Sequence, residues 1–117
     1  MNKFKDLIVW QKAMDLCVDI YLLTDLFPTH EKFGLISQIK RCVVSISSNI
    51  AEGAGRNSKN EFKHFLSVSL GSSFELETQL ILANRINYFN NKKLDEVLAK
   101  LDEVQKMITG LQKSLSV

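Results

Sequence analysis

The stretch from Ser45 to Phe62 reads SISSNIAEGAGRNSKNEF and separates two strongly apolar segments. Its serines, asparagines and glycines, with Glu52 and Arg56, are compatible with an active site, a phosphate-binding loop or a joint between helices. Residues 58–61 read SKNE and match the S-x-x-E capping box that starts a helix. Small residues before the box allow a close approach by another helix, and glycines allow a helix to end in a left-handed turn. We therefore interpret the stretch as a helix joint.

Hydrophobic periodicity on either side of this joint predicts four long helices. Their predicted spans are about Asp6–Phe27, Glu31–Ala54, Lys59–Asn87 and Lys92–Leu115. Pro28 ends the first helix, and the asparagine-rich segment 87–91 separates the last two. Long helices with short connections predict an all-α, antiparallel up-down four-helix bundle in one domain covering residues 1–117.

Apolar side chains at steps of three and four mark the predicted core face of each helix. In the first helix these are Leu7, Trp10, Met14, Cys17, Tyr21 and Thr24. In the second they are Leu35, Ile39, Cys42, Val43, Ile46 and Ile50. The third helix has a core stripe of Phe62, Phe65, Leu66, Leu76, Leu80 and Ala83, with further apolar residues on both sides of it. A helix that is apolar around so much of its circumference indicates burial against a neighbouring subunit, so we expect a homo-oligomer.

A polar ridge runs beside the apolar stripe of the second helix, and a matching polar face occurs on the third. The predicted structural network comprises Gln38, Ser45, Asn49, Glu52, Arg56, Ser72, Glu75 and Gln79. Buried polar groups need partners, which the two ridges supply to each other or to a neighbouring subunit. The alternative interpretation is ligand or RNA contact by Arg41 and Arg56.

Basic residues are concentrated in the middle of the chain, although the formal net charge is only +2. Between Lys32 and His64 there are six Lys/Arg and two Asp/Glu, a local net charge of +4. The candidate contacts to RNA or DNA are Lys40, Arg41, Arg56, Lys59 and Lys63.

Motifs for catalysis or for a cofactor are incomplete. Residues 61–64 form one Glu-x-x-His, whereas a di-iron bundle needs two such pairs and two further glutamates. The run GAGRNS lacks the Lys-Ser/Thr ending of a P-loop, and neither Cys17 nor Cys42 has a histidine at motif spacing. We therefore predict reduced thiols, no cofactor and no enzymatic activity. The apolar runs are too short to span a bilayer and no secretion signal is present, which predicts a cytoplasmic protein without membrane contact.

Three pieces of the chain resemble a known family: FKDLIVWQKAMDL, FPTHEKFGLISQIKRCVVSISSNIAEGAGRNSKNEFKHFL and GSSFELETQL. The family is the four-helix-bundle type encoded within intervening sequences of bacterial 23S ribosomal RNA genes, sometimes labelled S23. Its specific feature here is the run SIxxNIAEG-x-x-R-x-S-x-x-EF, and the fourth helix matches only in its general pattern. A relative is the accessory variability determinant protein of diversity-generating retroelements.

The resemblance implies a four-helix bundle that assembles as a homopentamer without established enzymatic activity. It also implies nucleic-acid binding through a basic surface and a partner protein such as a reverse transcriptase, as associated with the retroelement relative. We thus expect a nucleic-acid-binding or scaffolding accessory. The alternative is a protein–protein interaction module that binds no nucleic acid.

Overall fold

The computed structural model describes residues 3–116, which form four α-helices and, within that range, no strand. The helices are α1 (Ile8–Thr24), α2 (Leu35–Ala54), α3 (Lys59–Arg85) and α4 (Asn91–Leu115). Short 3-10 turns at Phe4–Asp6 and Thr29–Glu31 precede α1 and α2. The all-α prediction is therefore confirmed.

Each helix packs against two others, and α1 and α3 lie diagonally opposite each other in the bundle. Side-chain contacts show that neighbouring helices run in opposite directions. Between α1 and α2, Cys17 Sγ donates to the Val43 backbone oxygen, whereas the later Tyr21 lies under the ammonium group of the earlier Lys40. The resulting antiparallel bundle measures 44 × 24 × 20 Å. One end, which we call the joint end, holds the α2–α3 connection, the start of α1 and the end of α4.

The predicted core face of α1 is partly wrong, although Leu7 and Trp10 do pack against the core of the bundle. Its buried residues are Val9, Ala13, Leu16, Cys17, Ile20, Leu23 and Thr24, so only Cys17 and Thr24 of the predicted face are buried. Met14 and Tyr21 are exposed instead. The helix carries apolar residues on more than one face, and periodicity alone does not reveal which face the other helices cover.

The first two helices are also shorter than predicted. After Thr24 the chain makes 3-10-type hydrogen bonds through Phe27, so α1 ends three residues before that position. The second helix starts at Leu35, whose backbone N–H donates to Glu31 Oε1 at 3.2 Å. The same carboxylate accepts a hydrogen bond from the Tyr88 hydroxyl at 2.5 Å, which ties the α1–α2 connection to the α3–α4 connection.

The joint between α2 and α3 forms where the capping box predicts it. Ser58 Oγ accepts a hydrogen bond from the Glu61 backbone N–H at 3.0 Å and so caps α3. The joint forms without a left-handed glycine, since no glycine among residues 3–116 has positive φ. Gly53 instead provides space: a Cβ there would lie 2.7 Å from the Phe65 Cβ.

Replacing Gly53 by alanine tests this close approach. The added methyl group would also lie 2.9 Å from Phe62 Cδ1, so we expect Gly53→Ala to lower the free energy of unfolding by about 1–3 kcal/mol. The matched control is Gly110→Ala, where nothing lies within 4 Å of the new Cβ. There the higher helix propensity of alanine should stabilise the protein by up to about 1 kcal/mol. Equal effects in urea denaturation would contradict the packing role of Gly53.

Candidate nucleic-acid interface

The five candidate basic residues fall into two groups along the bundle. Arg56, Lys59 and Lys63 lie at the joint end, where α2 is connected to α3. Lys40 and Arg41 lie in the first half of α2, about 22 Å from Arg56 at a rise of about 1.5 Å per residue. The five residues therefore do not form one patch on a single subunit.

The two residues distant from the joint have local partners. Lys40 Nζ lies 4.7 Å from the centroid of the Tyr21 ring, a cation–π contact between α2 and α1. Arg41 is exposed, and its Nη2 donates to Ser37 Oγ at 3.3 Å one helical turn away.

Arg56 is held between acidic and aromatic groups. Its Nη2 lies 2.6 Å from Glu52 Oε1, and its Nη1 lies 3.9 Å from Glu61 Oε2. Its Cζ lies 4.9 Å from the centroid of the Phe65 ring. This arginine therefore neutralises the nearby carboxylates and leaves the lysines around it without acidic partners.

Five lysines gather at the joint end without a carboxylate within ion-pair distance in the part of the chain that the structure describes: Lys3, Lys5, Lys59, Lys63 and Lys113. The antiparallel topology brings them there from three separate parts of the sequence. Only Lys59 and Lys63 belong to the basic segment that the sequence identifies. Lys3, Lys5 and Lys113 join this group only in the folded bundle, because the start of α1 and the end of α4 lie beside the α2–α3 connection.

Charge is divided unequally between the two halves of the bundle. The half at the joint end (residues 3–15, 45–72 and 104–116) has eight Lys/Arg and four Asp/Glu, a net charge of +4. The opposite half (residues 16–44 and 73–103) has seven Lys/Arg and nine Asp/Glu, a net charge of −2. We refer to these as the basic half and the acidic half.

The polar residues of the predicted network meet only in part. Ser45 Oγ and Ser72 Oγ share a hydrogen bond of 2.9 Å between α2 and α3. Asn49 Nδ2 donates to the Ser45 backbone oxygen at 2.8 Å and to its hydroxyl at 3.0 Å. The three side chains thus join the two helices near their midpoints.

The remaining residues of the network lie outside this group. Gln38 is exposed, and the buried Oε1 of Gln79 has no hydrogen-bond partner among the residues described. Glu75 Oε2 accepts a hydrogen bond from Cys42 Sγ at 3.7 Å. Burial raises the pKa of the Cys42 thiol, and the negative charge of Glu75 raises it further.

Glu52 and Arg56 do not form the buried pair that the network interpretation requires. Their side chains are 54% and 43% exposed, so solvent screens their attraction. A periodic ridge predicts that residues share a face, but near the end of a helix that face is open to solvent.

A buried hydroxyl that the sequence analysis does not include joins the same two helices. Ser69 Oγ donates to the Ile46 backbone oxygen at 2.8 Å, and Ser69 is fully buried. The signal for it was present in the four-residue spacing of Ser69 and Ser73 on the side of α3 that packs against α2.

Apolar residues remain exposed on α1 and on α3. An apolar groove of about 530 Å³ lies between α1 and α2 and is lined by Met14, Cys17, Val18, Tyr21, Leu22, Val44, Ser47 and Ser48. On α3 the exposed apolar residues are Val68, Phe74 and Leu82. Because α1 and α3 are diagonal, these apolar surfaces lie on different sides of the bundle.

Comparison with protein families gives a match over most of the chain. The model of the 23S rRNA-intervening sequence protein family matches residues 5–110. The chain belongs to this family. The family membership that the SIxxNIAEG run predicts is thereby confirmed.

A solved structure shows the same architecture. The chain is similar to a protein of unknown function from the S23 ribosomal protein family of Bacteroides thetaiotaomicron, with 26% identity and a TM-score of 0.84. The similarity covers 91% of this chain and 99% of the Bacteroides chain. The comparison with curated proteins found no match.

Two further findings concern metals and membranes. Among residues 3–116, no group of three or more His, Cys, Asp or Glu side chains is arranged to hold a metal ion. Within the same residues, no helix combines the length and apolarity needed to cross a membrane.

The exposure of Glu52 predicts a small effect of its substitution. We expect Glu52→Gln to change the free energy of unfolding by less than about 1 kcal/mol, because an exposed ion pair contributes little. Urea denaturation at low and high salt measures this effect, and the difference from the parent should shrink as salt rises. A loss of several kcal/mol would instead show that Glu52 is buried in the assembled protein.

Proposed function

We propose that this protein is a non-enzymatic accessory that binds nucleic acid through the basic half of its bundle. The observation that carries the proposal is the charge division, with five unpaired lysines at the joint end of the described chain. Lysines without acidic partners neutralise phosphates and release counterions when they bind a polyanion. The family is described by its link to a 23S rRNA intervening sequence, which makes RNA the first polyanion to test.

A non-enzymatic role also agrees with the state of the two cysteines. Burial raises the pKa of the Cys17 thiol and of the Cys42 thiol. A raised pKa disfavours the thiolate, which is the nucleophilic form of cysteine. These residues are accordingly proposed to be structural.

We further propose that the subunits form a ring-like homo-oligomer, with five copies as the resemblance implies. Exposed apolar surfaces on different sides of a subunit support contacts between unlike surfaces of neighbouring copies, and such contacts close into a ring when the rotation between copies permits it. A ring also repeats the basic half on every subunit, so that modest single contacts add up.

The alternative function is protein–protein interaction without nucleic-acid binding. The apolar groove between α1 and α2 supports it, because an exposed apolar surface is typical of a protein-binding site. The two functions differ in their response to salt: phosphate contacts weaken steeply with rising salt, whereas apolar contacts do not.

The basic half is tested by removing two of its lysines. We expect the double variant Lys59→Gln/Lys63→Gln to bind labelled RNA more weakly than the parent. It should also lower the slope of log affinity against log salt by about one for each phosphate that the variant no longer neutralises. The matched control is Lys92→Gln/Lys93→Gln, which removes the same charge from the start of α4 in the acidic half. Fluorescence anisotropy across a salt series measures both. A parent protein that binds neither RNA nor DNA at low salt would refute the proposal.

The ring is tested by placing a charge on each apolar surface. We expect Val18→Glu on α1 and Phe74→Glu on α3 to dissociate the oligomer, because each side chain is more than half exposed in the single subunit. Ala99→Glu on the exposed side of α4 is the control and should leave the mass unchanged. Sedimentation equilibrium gives the mass of each variant. A monomeric parent at micromolar concentration would contradict the ring.

A further inference from the structure

An open cleft of about 700 Å³ lies at the joint end, within the basic half. It is lined by Phe4, Ser48, Ala51, Glu52, Gly55 and Arg56. Its volume falls within the range of roughly 300–1,000 Å³ that is typical of small-molecule sites. We call it the joint cleft. Its lining combines small residues of α2 with an aromatic ring, a guanidinium group and a carboxylate.

The guanidinium of Arg56 contacts an aromatic ring and a carboxylate at the edge of the cleft. Its Cζ lies 4.9 Å from the centroid of the Phe65 ring, and its Nη2 lies 2.6 Å from Glu52 Oε1. The side chain is nevertheless 43% exposed and lines the cleft. A planar cation held in this way offers a surface on which a nucleobase stacks.

The aromatic ring of Phe4 is also supported. It packs edge to face against Trp10, with ring centroids 5.1 Å apart and an interplanar angle of 87°. The ring is only partly buried and lines the same cleft as Arg56. Aromatic side chains stack on bases of unpaired nucleic acid, whereas bases in a duplex are already stacked and paired.

The carboxylate of Glu52 provides a hydrogen-bond acceptor in the cleft. Its Oε1 is engaged by Arg56, while its Oε2 has no hydrogen-bond partner among the described residues. An acidic oxygen accepts a hydrogen bond from the exocyclic amino group of cytosine. Uracil has a carbonyl oxygen at the corresponding position, which would repel the carboxylate.

We propose that the joint cleft binds an unpaired nucleobase that carries an exocyclic amino group, with cytosine bound more tightly than uracil. The base stacks on the Arg56 guanidinium, and its amino group donates to Glu52 Oε2. The lysines of the joint end bind the phosphates on either side of that base. This inference rests on the proposed nucleic-acid binding and adds to it a preference for single strands and for a class of base.

Two pyrimidine homopolymers provide the sharpest probe. Labelled 12-mers of cytidine and of uridine have the same length, charge and base size, and a 12-base-pair RNA duplex serves as the paired competitor. At neutral pH we expect the parent to bind the cytidine strand about tenfold more tightly than the uridine strand, the size of effect typical of a hydrogen bond to a charged group. Because the duplex has the higher charge density and no unpaired base, its affinity reports the lysine contacts alone.

Two conservative variants separate the hydrogen bond from the stacking. Glu52→Gln should bring the cytidine and uridine affinities close together, because an amide both accepts from cytosine and donates to uracil. Arg56→Lys keeps the charge but loses the planar surface, so both single strands should bind several-fold more weakly while the duplex is unaffected. Arg85→Lys, at the exposed end of α3 in the acidic half, is the matched control and should behave as the parent.

The possible results distinguish this inference from the proposed function. Equal binding of cytidine, uridine and duplex RNA by the parent, unchanged in Arg56→Lys, would overturn the joint cleft as a base site and leave nucleic-acid binding intact. Absence of binding to all three probes at low salt would overturn both proposals. A cytidine preference that Glu52→Gln retains would overturn the role given to the carboxylate.

Discussion

Where α2 packs against α3, a glycine and several serines replace the large side chains that fill the rest of the core. Gly53 lies so close to Phe62 and Phe65 that a Cβ has no space, and these two helices form the most extensive pair in the bundle. A buried hydroxyl is costly unless it is hydrogen-bonded, and Ser69 meets this requirement by donating to the Ile46 backbone oxygen. Close packing of α2 and α3 therefore depends on both small volume and satisfied polar groups.

This packing also determines the geometry of the candidate interface. Because Gly53 brings the end of α2 onto Phe65, the Arg56 guanidinium three residues later reaches the Phe65 ring and the Glu61 carboxylate. The cap on Ser58 then directs α3 away from the joint and leaves Lys59 and Lys63 at the end of the bundle. A substitution that separates α2 from α3 would thus alter the position of these charges without touching them.

The fold was predictable from the sequence because its strongest signals are local. Pro28, the Ser58 capping box and the asparagine-rich segment divide the chain into helices whose ends depend on neighbouring residues. The core face of α1 was not predictable in this way, since Met14 and Tyr21 follow the same period as the buried Ala13 and Ile20. Which stripe is buried is decided by tertiary packing, and no local pattern records it. The candidate interface was predictable to a lesser degree, because sequence proximity grouped Lys40 with Arg56 although the rise of the helix places them in opposite halves.

The unequal division of charge affects which end of the bundle an approaching polyanion meets. The bundle is 44 Å long, whereas mobile ions screen a charge within about 10 Å at 0.1 M salt. An approaching polyanion therefore responds to the +4 of the half it meets and not to the formal sum of +2. The acidic half repels it, so the subunit is turned before contact. Electrostatic orientation of this kind selects which end arrives first and raises the rate of productive encounters.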